Sequence, residues 1–142
     1  MGEGQWIGVR SPEFRAISER IKVATRLSSK LSGYCWDEPE LVRRVFEELI
    51  GKPVSDSFQL IPPFYADYGL NITIGRSVFI GYGCMFTGHG AIDIADDVMI
   101  ANKVNLVTAG HPVGAMRPPR HHRPRVSCTP PHRMPHYFRG PQ

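Results

Sequence analysis

The chain has 142 residues, 42% of them apolar, which leaves room for one domain and no apolar run near the ~20 residues that a bilayer span needs. Its cysteines, Cys35, Cys84 and Cys128, stand far apart with no Cys-x-x-Cys pairing, which argues against a disulfide framework and for a reducing compartment. The net charge of +4 is uneven: residues 1–114 hold 11 Lys and Arg against 13 Asp and Glu, whereas residues 115–142 hold 6 Arg and no acid, so the basic character belongs to an appendage. Met1–Arg10 contains no apolar leader, and a soluble, cytoplasmic protein is expected.

Ser11 and Pro12 predict a helix start, with the serine as cap and the proline at the first helical position. Phe14, Ile17, Ile21, Ala24, Leu27 and Leu31 then follow at helical spacing until Gly33. A second helix is expected from about Asp37 or Glu38, with Pro39 in its first turn. It carries Leu41, Val42, Val45, Phe46, Leu49 and Ile50, and Gly51 and Pro53 end it. Residues 11–52 therefore read as a helical segment whose apolar stripes need something to cover.

Residues 53–71 read as an irregular connector, because Pro53, Pro62 and Pro63 cannot donate within a strand ladder. Phe58, Phe64, Tyr65 and Tyr68 crowd its end. They serve either to cap an open solenoid end or to stack on a sugar.

From Ile72 the pattern changes. The pairs Ile72/Ile74, Val78/Ile80, Cys84/Phe86, Ile92/Ile94, Val98/Ile100 and Val104/Leu106 recur at intervals of six, six, eight, six and six residues. Paired residues two apart share one face of a strand, and a six-residue period fits a solenoid whose triangular coils spend six residues on each face. Residues 72–113 are thus expected to form about two coils of a β solenoid, Ile72–Phe86 and Ile92–Leu106, with the eight-residue interval marking a two-residue insertion within Thr87–Ala91. By the same count His111 stands one coil above that corner, with His89 as its neighbour. Two coils bury too little to stand alone and need the helices, further coils or other subunits.

Three stretches together carry a resemblance: Ile61-Pro62-Pro63-Phe64-Tyr65-Ala66-Asp67-Tyr68-Gly69-Leu70-Asn71-Ile72, Ile94-Ala95-Asp96-Asp97-Val98-Met99-Ile100, and Thr108-Ala109-Gly110-His111-Pro112-Val113. Over residues 11–114 the chain resembles the hexapeptide-repeat sugar O-acetyltransferases, the maltose and galactoside acetyltransferases. The resemblance implies a left-handed parallel β-helix preceded by two helices. It also implies a homotrimer, acetyl-CoA as co-substrate, a sugar as acceptor, and no metal or membrane partner. It assigns the general base to His111, a role that an imidazole titrating near neutrality can fill. Asp67 falls where the family commonly has a polar group facing the sugar. The chain departs from the family pattern at Gly81, where an asparagine is usual, with Gly83 the neighbouring asparagine-type position. It departs again at the insertion corner, which reads Gly88-His89 in place of an acid. Substrate contacts are accordingly expected around Asp67, Gly81 and His89. The family's further coils, which hold acetyl-CoA, do not follow.

From 114 to 142 the ladder gives way to Arg, His and Pro, with seven of the 13 prolines and four of the six histidines. A disordered tail is expected, and the abrupt loss of pattern suggests an out-of-frame or replaced terminus of a longer solenoid. Two rival readings are an arm that binds nucleic acid nonspecifically and a zinc site from Cys128, His132 and His136. For the chain as a whole, the alternative to an enzyme is a noncatalytic β-helix module that associates with itself.

Overall fold

A computed structural model of the chain describes residues 6–8, 10–110 and 125–128. Strand β1 (Trp6–Gly8) precedes two helices, α1 (Pro12–Leu31) and α2 (Pro39–Ile50). The Ser11 hydroxyl accepts the Phe14 N–H at 3.1 Å and caps α1. Gly51, at φ 69°, ends α2 in the left-handed conformation. The stripe on α2 buries Val42, Val45, Phe46, Leu49 and Ile50, while Leu41 points outward and is 38% exposed. Among the described residues no helix is long and apolar enough to cross a membrane.

Eight short strands then wind into a three-faced parallel solenoid: β2 (Gln59–Leu60), β3 (Phe64–Ala66), β4 (Ile72–Ile74), β5 (Phe79–Ile80), β6 (Cys84–Thr87), β7 (Ile92–Ile94), β8 (Met99–Ile100) and β9 (Asn105–Val107). The faces are β2-β5-β8, β3-β6-β9 and β4-β7. Gln59 pairs with Phe79 and Phe79 with Met99, Tyr65 with Met85 and Met85 with Asn105, and Ile72 with Ile92. One coil is therefore 20 residues, the length that two six-residue spacings and one of eight require. The inward members of the ladder, Ile72, Val78, Ile80, Cys84, Phe86, Ile92, Ile94 and Ile100, form the core. Burial also pushes the Cys84 thiol pKa up.

The solenoid begins earlier than the ladder suggested. Residues 59–66, read as part of an irregular connector, form the first two strands, so the strands from Gln59 to Val107 make more than two coils. The prolines do not prevent this because Pro62 and Pro63 sit at the corner between β2 and β3. There the Pro63 carbonyl still accepts the Gly83 N–H, at 2.7 Å. Leu60, Phe64 and Ala66 stand in register below Ile80, Cys84 and Phe86.

The helices close the lower end. Among the described residues no strand lies beneath the edge of β3, and the buried Ser28 hydroxyl of α1 takes that place, accepting the Ala66 N–H at 3.0 Å and donating to the Ala66 carbonyl at 3.3 Å. Beside it, Lys52 Nζ donates to the Ile72 carbonyl at 3.0 Å. Apolar closure comes from Phe46 of α2, stacked on Phe58 with ring centroids 4.7 Å apart and edge-on to Phe64 at 5.3 Å, while Phe64 meets Phe86 edge-on at 5.0 Å. Of the four aromatic residues at the connector, Phe58 and Phe64 thus belong to the cap.

After β9 the chain leaves the solenoid. Ala109–Gly110 (β10) pairs antiparallel with Arg125–Cys128 (β11), which pairs in turn with β1. These four residues of the tail are therefore a strand where disorder was expected, because the backbone groups of β10 and β1 offer it partners on both sides. His121, His122, His132 and His136 lie outside the described residues. Deleting the ring that closes the lower end should be costly: Phe46→Ala is expected to reduce the unfolding free energy by about 3–5 kcal/mol in a urea titration.

Candidate functional site

The solenoid has three corners, and one differs from the others. Where β3, β6 and β9 end, the chain takes two extra residues to reach the next face, so Asp67–Asn71, Thr87–Ala91 and Thr108–Gly110 build a broader corner. A longer corner exposes more backbone, and side chains from adjacent coils bind it. Asp67 Oδ1 accepts the Gly88 N–H at 2.9 Å. Asn71 Nδ2 donates to the carbonyls of Gly88, at 3.0 Å, and Gly90. From above, the buried Thr108 donates its N–H to the Thr87 carbonyl at 2.9 Å, and its hydroxyl lies 3.1 Å from the Gly90 carbonyl.

Gly88 is the pivot. Its φ is 102°, and a Cβ there would lie 2.5 Å from both the Ala109 nitrogen and the Thr108 hydroxyl. An acidic side chain at Gly88 could not be housed without moving the coil above. The next residue, His89, is half-buried with its ring edge-on to Tyr68 at 5.1 Å and 78°. Tyr68 is fixed from below, since Arg20 Nε of α1 donates to its carbonyl at 2.8 Å while the same guanidinium binds the Leu49 carbonyl at the end of α2. Helices, corner and imidazole are thus one connected unit. Within it Asn71 Oδ1 is a buried acceptor with no partner among the described residues, where a donor from a bound molecule or water would be favourable.

Of the residues singled out from sequence, Asp67 and His89 come together at this corner. Gly81 does not: it lies at the other end of the face that β6 occupies, between β5 and β6, where a Cβ would come within 2.8 Å of the Asn102 nitrogen. It donates its own N–H to the Ile100 carbonyl at 2.9 Å. His111 lies outside the described residues, directly after β10. Asn71 and Thr108, which hold the corner, were not singled out, although both fall inside the motifs that carried the resemblance. A 20-residue count places Thr108 above Gly88 and would have found it.

The other corners are structural in the same sense. Asp96 Oδ1 accepts the Arg76 N–H at 2.7 Å and Oδ2 the guanidinium at 2.7 Å. These bonds hold the Asp96 carboxyl below the usual carboxylate range. Among the described residues, one group of side chains could approach a metal ion, Cys35, Asp37 and Glu38 in the exposed loop between α1 and α2. There the Glu38 carboxylate already accepts the Cys35 N–H, and the loop is not part of the corner.

No protein-family model matches the chain. It is 39% identical over 74 residues to a presumptive acetyltransferase of Saccharomyces cerevisiae, a stretch that covers 52% of this chain and 37% of the yeast protein. It is 37% identical over 60 residues to the galactoside O-acetyltransferase of Escherichia coli, covering 42% of this chain and 30% of the relative. The solved structure of a galactoside acetyltransferase in complex with coenzyme A superposes with a TM-score of 0.65 at 22% identity, over 89% of this chain and 60% of the other. The chain therefore has the fold of that structure and spans about a third of the length of these two curated relatives.

Because Asn71 binds two corner carbonyls at once, Asn71→Ala is expected to lower the unfolding free energy by about 1–3 kcal/mol in urea titrations. The His89 ring resonances should shift in the same variant, whereas a distant surface substitution such as Glu48→Ala should leave them in place.

Proposed function

We propose that the chain represents an acetyl-CoA-dependent O-acetyltransferase whose acceptor is the hydroxyl of a sugar. The observation that carries this reading is the sequence similarity to named acetyltransferases over a stretch that lies within the same fold. The built corner supports it, because it brings a half-buried imidazole, His89, together with the Asp67 carboxylate one coil below and the amide of Asn71.

In this reading His111 is the general base. It takes the proton of the sugar hydroxyl as the oxygen forms its bond to the thioester carbonyl. Collapse of the tetrahedral intermediate breaks the carbon–sulfur bond, and the departing CoA thiolate recovers the proton. Asp67 and His89 line the acceptor side; Gly81 lies at a different corner and its N–H already binds the Ile100 carbonyl, so it supplies neither a side chain nor that N–H.

A homotrimer fits the outward side chains. Along two faces apolar or aromatic side chains, Phe79 and Met99 on one and Tyr65 and Met85 on the other, stand beside one polar residue each, Gln59 and Asn105, and Met99 is 66% exposed. The third face presents Thr73 and Asp93. Two mainly apolar faces suit a subunit that meets a neighbour on each side. The thiols of Cys35 and Cys84, both unpaired, support a cytoplasmic location.

Release of CoA from acetyl-CoA in the presence of glucose, maltose or a galactoside tests the reading. Turnover is expected with at least one sugar and should fall by about 10²–10⁴-fold in His111→Ala. Equal background in the two proteins would instead favour the noncatalytic module.

A further inference from the structure

The upper end of the solenoid is finished differently from the lower. In the middle coil Val78, Cys84 and Phe86 are 1%, 0% and 1% exposed, whereas their counterparts one coil higher, Val98, Val104 and Leu106, are only half-buried. Among the described residues no strand pairs with the upper edge of β7, β8 or β9, and β10 turns away into the antiparallel sheet. Open edges are ordinarily blunted by charge, proline or a bulge. Here β8 is Met99–Ile100 and β9 is Asn105–Val107, neither with a charge; β7 carries the outward Asp93, and the other charges of this coil lie outside its strands.

The charges sit at the two corners that flank β8. Before it stand Asp96 and Asp97, with Arg76 below them paired to Asp96. After it stands Lys103, which forms no ion pair among the described residues. A two-fold axis perpendicular to the solenoid axis and half a strand spacing above the middle of β8 would invert this order. It would set the acidic corner of one copy over Lys103 of the other, and do so twice. The same rotation lays β8 antiparallel on its own copy and exchanges the other two faces, so that β9 lies over β7.

The heights agree. Each strand climbs about a third of the ~4.8 Å spacing between coils, so β9 stands as far above β8 as β7 lies below it, and all three contacts close at one strand spacing. The lower end is occupied by the helices, so such stacking ends at a pair.

We propose that the upper end of the solenoid is covered by a second copy of this chain, end to end, through β7, β8 and β9, with Asp96 and Asp97 facing Lys103 across the interface. This pairing uses the solenoid's geometry alone and is independent of acyl transfer and of association through the lateral faces.

Sedimentation equilibrium of the full chain tests it. The wild type is expected to have twice the mass of Lys103→Asp at the same concentration, whatever the lateral state, because the reversal brings like charges together at both symmetry-related contacts. Asp97→Lys should weaken pairing by about tenfold, and the exchange Asp97→Lys/Lys103→Asp should restore it to within about threefold. Both positions have left-handed φ, 58° and 59°, so exchanging the residue types demands no new backbone conformation. A wild type equal in mass to Lys103→Asp, or a double variant as weak as either single one, would overturn the proposal. The first outcome would mean that no second copy covers the end.

Discussion

A stack of parallel strands leaves, at its first coil, a row of backbone groups with no neighbour and an apolar layer with no lid. Closing that lower end is the constraint on which the rest of this structure depends. The Ser28 hydroxyl stands in for a missing strand at Ala66, Lys52 does so at Ile72, and Phe46 lies over Phe58 and Phe64. Unsatisfied, those groups would each carry a desolvation penalty, and short strands of two to four residues have little local stability to spare. The helices are thus the floor of the solenoid, and the register of every coil above follows from the one they hold.

That floor also sets the candidate site. Arg20 reaches from α1 to the Tyr68 carbonyl, Tyr68 meets His89, and Asp67 and Asn71 hold the backbone of Gly88 to Gly90. The polar side chains at the corner are largely engaged with main chain, and these bonds hold the backbone on either side of the His89 imidazole. Gly88 shows how tightly the coils are fitted, since Thr108 and Ala109 leave no room for a side chain there.

Much of the fold was legible because its signals are local. Ser11-Pro12 and Gly51 mark helix ends, and six pairs of apolar residues mark strands. The first two strands were hidden because Pro62 and Pro63 looked like ladder breakers; only the corner position, with a carbonyl still free to accept, makes them compatible with a coil. Counting back 20 residues from Ile80, Cys84 and Phe86 lands on Leu60, Phe64 and Ala66, so the information was present in the long period and not in the six-residue one. The site was less legible. His89 was found through the corner and Asp67 through the resemblance, but the backbone contacts that define Asn71 and Thr108 depend on which carbonyls the fold turns inward, and the close packing over Gly81 depends on Asn102, 21 residues away. No local pattern encodes either.

Amide hydrogen exchange measured residue by residue through Gln59, Ile61 and Ala66 tests the central claim most directly. If these residues are the helix-capped first coil, their amides, bonded to Val78, Ile80 and Ser28, exchange as slowly as those of β5 and β6 and open only with the whole domain. Exchange at the rate of an exposed loop, while β5 and β6 remain protected, would contradict it.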